Sequence, residues 1–98
     1  HLLICPVTQV LPFDITTEYP TVVNGVEMAS YIHWMQSCYF ITVLGFPAIS
    51  VPCGFSEDGL PVGLQIVGSH QDDFGVLQLA HAFEQATNFA QKVPAIAE

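Results

Sequence analysis

The side chains that could hold a metal gather in the C-terminal third of this chain. His81 and Glu84 are three residues apart, and His70 and Asp72 lie shortly before them. Imidazole and carboxylate groups of this kind are ligands for zinc and iron. The same residues also fit a solvated helix face, and no second ligand pair supports a metal site. The sequence therefore predicts neither a metal nor an organic cofactor.

Nucleophiles and bases are equally isolated. Each serine stands alone, and Ser50 fits a packed small residue of a strand. The lone cation, Lys92, lies in a polar tail, which is a poor place for a desolvated base. Three cysteines at wide spacing, Cys5, Cys38 and Cys53, indicate small apolar side chains rather than a disulfide framework. We predict no catalytic residue in this chain and a reducing, cytoplasmic location.

The composition excludes several classes of protein. Ninety-eight residues form one domain at most, or a piece of one. The net charge of -8, with a single Lys, argues against binding to nucleic acid or to an anionic membrane. The charged fraction is 10%, against roughly 25% in ordinary globular domains, so little of the surface suits water. Because the chain also opens directly into an apolar run, we expect an incomplete domain spanning residues 1–98.

The elements predicted from residue patterns are a mixture of strands and helices. Leu2 to Val7 is an apolar run that fits a buried strand. Asn24 and Glu27 resemble a capping box, which predicts a helix near residues 25–40. Two apolar runs separated by a Gly-containing turn predict a β-hairpin near residues 47–68, with Pro52 marking an edge or a bulge. An aspartate cap, Asp72 or Asp73, and an amphipathic pattern predict a second helix near residues 72–88.

Three motifs in order resemble the amidase signature family. Leu3 to Thr8 is similar to an apolar strand of that family, Leu44 to Pro52 to its Gly-x-Pro-Ala-x-x-x-Pro element, and Asp58 to Gln65 to its Gly-Leu-Pro-x-Gly-x-Gln element. Many members carry Asn where this chain has Thr42, a difference that bears on substrate more than on fold. The resemblance implies an α/β fold, as the C-terminal part of a mixed sheet covered by helices.

Membership of this family implies a reaction that the chain cannot perform alone. The family hydrolyses carboxylic amides to an acid plus ammonia or an amine, using a Ser–cis-Ser–Lys triad from N-terminal segments. This chain has no Gly-Gly-Ser-Ser segment, so we expect it to be inactive without the N-terminal part of the same protein. The resemblance allows two alternatives, the role of an amidotransferase A subunit in tRNA-dependent amidation and a non-catalytic binding module. The other partners it suggests are a small-molecule amide and, as an option, a second copy.

The helix before the Gly-x-Pro-Ala element lines the substrate cavity in several amidases. By that resemblance, the pocket candidates here are four residues of the predicted helix, joined by the neighbouring Tyr39: Tyr31, Trp34, Met35 and Cys38. Plain core packing is the alternative, because an apolar lining and a core look alike in sequence. Gln65, a polar residue in an apolar strand, is predicted to form a structural hydrogen bond to the backbone.

Substituting Trp34→Ala tests the pocket assignment. We expect the complete enzyme to change its preference among amide substrates, because removing an indole enlarges an apolar cavity. The measurement is kcat/KM for a series of amides that differ in size. A variant that loses only thermal stability, with the order of its substrates unchanged, contradicts the assignment.

Overall fold

A three-stranded antiparallel sheet, in the order β1-β5-β4, organises the computed structural model, which describes residues 2–97. A two-stranded ribbon, β2-β3, stands apart from it. In chain order the strands are β1 (Leu3–Pro6), β2 (Val22–Val23), β3 (Val26–Glu27), β4 (Ala48–Phe55) and β5 (Pro61–Val67), and the helices are α1 (Gln36–Leu44) and α2 (Asp73–Thr87). Short 3-10 turns occupy His33–Met35, Phe89–Gln91 and Ala95–Ala97. The combination of sheet and helices confirms the α/β class.

The hairpin predicted near residues 47–68 is confirmed as β4 and β5. Ser56 closes its turn, since its N–H donates to the Leu60 carbonyl at 2.8 Å and its hydroxyl accepts from the Leu60 N–H at 3.2 Å. Gly59 takes a left-handed φ of 80°, a conformation that glycine adopts without a steric penalty. The register shifts between Pro52 and Gly54. The predicted bulge is therefore present, on a strand at the edge of the described sheet.

The second predicted helix is confirmed as α2, and it covers the hairpin. The Asp72 carboxylate accepts a hydrogen bond from the Gly75 N–H at 3.1 Å, which caps the helix as predicted. Val76 and Ala80 on the inner face of α2 are buried, and Val51 and Ile66 of the hairpin meet them. This small core holds the sheet to one helix layer.

The helix predicted near residues 25–40 begins instead at Gln36. Asn24 and Gly25 both have positive φ, 50° and 81°, which is the geometry of a two-residue hairpin turn. Val23 pairs with Val26 across this turn in the β2-β3 ribbon. The Asn-Gly pair thus forms a turn where the sequence pattern suggested a helix cap, because a hairpin turn needs positive φ at both residues. The helix ends at Gly45, whose φ of 75° and hydrogen bond to the Ile41 carbonyl close it.

The first strand forms as predicted, but it is not buried. β1 pairs with β5 in the register Leu3↔Val67 to Pro6↔Leu64. Leu3 and Ile4 remain 53% and 56% exposed, since α2 packs on β4 and β5 and not on β1. The body measures 38 × 37 × 20 Å, as expected of a thin two-layer arrangement. None of the helices within residues 2–97 has the length and apolar character needed to cross a bilayer.

Gly63 of β5 marks a close approach between strand and loop. A Cβ at Gly63 would lie 2.8 Å from Cγ1 of Val7 and 3.2 Å from the hydroxyl of Ser50. We expect Gly63→Ala to lower the free energy of unfolding by about 1–3 kcal/mol, because overpacking forces these atoms apart. Urea unfolding measures the change.

The matched control is the double variant Gly63→Ala with Val7→Ala, which removes the colliding methyl groups. The two changes should couple, so that the double variant is more stable than the sum of the single effects predicts. Strict additivity would contradict the close approach.

Candidate functional site

A cleft of about 820 Å³ opens beside the exit of β1. The loop that follows this strand forms one wall, the turn at Asn24 and the indole of Trp34 form the rim, and Pro61 to Gly63 of β5 form the floor. Two smaller hollows, of about 330 and 380 Å³, lie between α2 and β4 and between α1 and β1. Volumes of about 300–1,000 Å³ are typical of small-molecule sites, so the largest cleft is the candidate site.

One backbone carbonyl fixes the wall of this cleft to the start of α1. The Val7 carbonyl accepts the Ser37 hydroxyl at 3.1 Å and the Cys38 thiol at 2.8 Å. Ser37 lies in the first turn of the helix, so that turn is tied to the loop that leaves β1. The bonded residues are 30 and 31 positions apart in sequence, and no periodic pattern indicates the pairing.

Gln65 extends this connection into the centre of the sheet. Its side chain is 6% exposed, and Nε2 donates to the Ser37 carbonyl at 3.1 Å while lying 3.4 Å from Sγ of Cys5. The predicted structural hydrogen bond to backbone is therefore confirmed. A buried amide must be paired to be tolerated, and here the pairing locks β5 to α1.

Aromatic rings connect the loop after β1 to the segment before α1. Phe13 and Trp34 meet edge to face with centroids 5.5 Å apart, and both line the cleft. Tyr31 stands edge to face with Trp34 at 6.4 Å and with Tyr19 at 5.7 Å. Such pairs are worth about 0.5–1.5 kcal/mol beyond the area they bury. This row of rings holds the cleft rim without any regular secondary structure.

Of the pocket candidates, the structure brings only Trp34 to the cleft. Tyr31 is 51% exposed and reaches the cleft only through its contact with Trp34. Met35 ends the 3-10 turn that leads into α1, and it lines none of the three hollows. Cys38 binds the Val7 carbonyl, and Tyr39 meets the ring of Phe40 at 5.0 Å. The assignments of these residues to a substrate pocket stay predictions.

Sequence reasoning missed the wall formed by residues 7–13. That stretch has no helix or strand pattern, and the loop's role depends on the distant contact of Phe13 with Trp34. An aromatic residue in a Pro-bounded loop is the one signal that could have indicated it, since a large apolar side chain there needs a partner.

The indole Nε1 of Trp34 is buried and has no hydrogen-bond acceptor among the residues that the structure describes. A buried donor of this kind costs about 1–3 kcal/mol when unpaired. Trp34 is thus the one candidate that both lines the cleft and carries a polar atom in want of a partner.

Ionisable groups play little part near the cleft. Hydrogen bonds from the Thr16 hydroxyl, at 2.5 Å, and the Thr16 N–H, at 2.8 Å, lower the pKa of the exposed Asp14 carboxyl. The His33 ring accepts the Ala29 N–H on Nδ1 at 2.9 Å and so stabilises the segment before α1. Within residues 2–97, no group of three His, Cys, Asp or Glu side chains is arranged to hold a metal ion.

The comparison with known proteins identifies the class of this fold. The family model described as Amidase matches residues 1–77, so the chain belongs to the amidase family. The resemblance drawn from the three motifs is thereby confirmed.

Its relatives carry a more specific name. The chain is 57% identical over 54 residues to the A subunit of the glutamyl-tRNA(Gln) amidotransferase of Thermodesulfovibrio yellowstonii, covering 55% of this chain and 11% of that protein. The corresponding proteins of Geobacillus thermodenitrificans and Halalkalibacterium halodurans are 57% and 55% identical over 56 residues, covering 57% of this chain and 11% of each. The match therefore spans 11% of the length of these relatives. No solved structure matches the chain significantly.

Two substitutions at Gln65 test the link between β5 and α1. Gln65→Leu should cost about 1 kcal/mol, the net value of one hydrogen bond. Gln65→Glu, although closer in shape, should cost more at neutral pH, because it sets a buried carboxylate against the Ser37 carbonyl. Urea unfolding at about pH 5 and about pH 8 measures both.

The pH dependence separates this explanation from a simple packing defect. Burial raises the pKa of the new glutamic acid above its unfolded value of about 4.3. The stability of the variant is therefore fully present at pH values below the unfolded pKa and falls as pH rises through the raised folded pKa. The gap between Gln65→Glu and Gln65→Leu should narrow at acid pH; a gap independent of pH contradicts the assignment.

Proposed function

We infer that this chain forms the C-terminal wall of an amidase whose catalytic triad lies outside residues 1–98. The observation that carries the inference is the family match over residues 1–77, in a chain without a Ser-Ser pair. Lys92 is exposed, so it lacks the desolvation that would make a lysine a base at neutral pH. The chain supplies a wall and a floor of the substrate site, and the remainder of the protein supplies the chemistry.

The reaction that follows is hydrolysis of a carboxylic amide. A serine hydroxyl attacks the amide carbon, and a lysine takes its proton through the bridging serine. The nitrogen leaves as ammonia or an amine, and water then releases the acid from the acyl-enzyme. Backbone N–H groups stabilise the oxyanion. None of these steps uses a side chain of residues 1–98, and each takes place in the cytoplasm on a small-molecule amide.

The names of the relatives favour a second candidate function. Three relatives at 55–57% identity are A subunits of glutamyl-tRNA(Gln) amidotransferases. In that role the protein would release ammonia from an amide donor and pass it to glutamyl-tRNA. A basic surface for tRNA is not offered by a chain with one Lys and nine carboxylates, so any contact with tRNA belongs to another part of the assembly.

A non-catalytic binding module is the third interpretation of the same residues. Such a module should be soluble alone and should cover its apolar side chains. Here Leu3, Leu44 and Phe46 are 53%, 59% and 41% exposed around the hollow between α1 and β1. An exposed apolar surface of this extent favours a larger domain that packs against it.

The coding DNA upstream of His1, read in frame, tests the proposed function. We expect a lysine segment and a Gly-Gly-Ser-Ser segment, and we expect the complete protein to release ammonia or an amine from amides. Replacing the nucleophilic serine by alanine should lower kcat by at least about 1,000-fold. A stop codon just before an in-frame start, with no triad encoded, overturns the proposal.

Transfer to tRNA distinguishes the first two functions. An amidase hydrolyses small amides without any partner. An amidotransferase converts glutamyl-tRNA(Gln) to glutaminyl-tRNA(Gln) only with glutamine and all of its component proteins present. The readout is the amino acid recovered from the tRNA, with the serine variant as the control.

A further inference from the structure

We propose that the cleft beside Trp34 binds the uncharged, apolar part of an amide, in the size range of a substituted benzene ring. This inference deepens the proposed amidase function and rests on it for the word substrate. The cleft selects among amides by charge, and glutamine, with its ammonium and carboxylate groups, is not the ligand that it fits.

The chemistry of the lining carries the argument. Among the described residues that line the cleft there is no Asp, Glu, His, Lys or Arg. The lining consists chiefly of Val, Leu, Pro and aromatic side chains, together with a few neutral polar groups. A charged ligand would leave water here without an opposite charge to meet it, which costs several kcal/mol per ion. An apolar ligand gains from the same transfer.

The neighbouring hollows show that this neutrality is local. His81 and Glu84 line the hollow between α2 and β4, and His70 lines the hollow between α1 and β1. The chain thus places ionisable side chains in both smaller hollows and keeps them out of the largest. The electrostatic difference follows the volume, which is about 820 Å³ against about 330 and 380 Å³.

Rigid elements hold the shape of this cleft. The rings of Phe13 and Trp34 are nearly perpendicular, at 88°, and both border the same space. The wall at Val7 is held by two hydrogen bonds from the start of α1, and Gly63 in the floor has no side chain to fill the space. Perpendicular rings leave room for a third ring in an edge-to-face arrangement, which is why we assign an aromatic ligand.

Binding of three amides to the full-length protein tests the proposal. The probes are benzamide, its 4-carboxy derivative and its 4-aminomethyl derivative, which differ in charge and share the ring. We expect benzamide to bind at least about tenfold more tightly than either charged derivative. Isothermal titration measures the three dissociation constants, and turnover is measured separately as ammonia release.

Two substitutions move the selectivity in defined directions. Val62→Lys puts a cation in the floor and should weaken benzamide binding by about tenfold while bringing the 4-carboxy derivative to equal or better affinity. Asn24→Asp keeps the shape of the rim and adds a carboxylate, so it should favour the 4-aminomethyl derivative and leave the fold intact. The matched control is Ile15→Lys, at a side chain 98% exposed and outside the cleft, which should change none of the three affinities.

Each outcome decides one question. Equal affinity for charged and neutral amides, or identical effects of Val62→Lys and Ile15→Lys, overturns the cleft proposal even if the protein hydrolyses amides. Loss of melting temperature in Val62→Lys with no benzamide binding to the unsubstituted protein shows that another part of the polypeptide fills the cleft, and also overturns it. Charge-selective binding that responds to Val62→Lys without any amide turnover supports the cleft and rejects the amidase function.

Discussion

The carbonyl oxygen of Val7 is the point on which the arrangement of this chain depends. It accepts both the hydroxyl of Ser37 and the thiol of Cys38, so one acceptor joins the end of β1 to the start of α1. Gln65 then connects the same helix turn to β5 through the Ser37 carbonyl. Because a buried polar group without a partner is costly, these three bonds specify one relative position of strand, loop and helix. The cleft exists because that position is fixed.

Apolar packing performs a different task in this structure. Val51, Ile66, Val76 and Ala80 attach α2 to the hairpin, and none of them lines the cleft. That core is small and leaves the Leu3 side chain of β1 half exposed. The hydrophobic contacts therefore stabilise the layers, while the polar joint and the row of aromatic rings define the site.

Local patterns in the sequence predicted the elements whose geometry is decided locally. The hairpin follows from a Gly-containing turn closed by Ser56, and α2 follows from the Asp72 cap. The start of α1 was predicted wrongly because Asn24 can serve either as a helix cap or in a hairpin turn, and its φ of 50° selects the turn. The pairing of β1 with β5 and the contact of Phe13 with Trp34 join distant residues. No spacing within one segment encodes such contacts, so most of the cleft could not be predicted.

The bulge at Pro52 gives the sheet a direction of growth. A strand that adds to an edge needs a regular row of N–H and carbonyl groups, and β4 interrupts that row twice, with a proline that has no N–H and with a shifted register. β1, on the opposite edge, carries a regular four-residue register with β5 and a proline only at its last position. Further strands of a larger sheet would therefore join next to β1, and copies of this chain would be discouraged from pairing through β4.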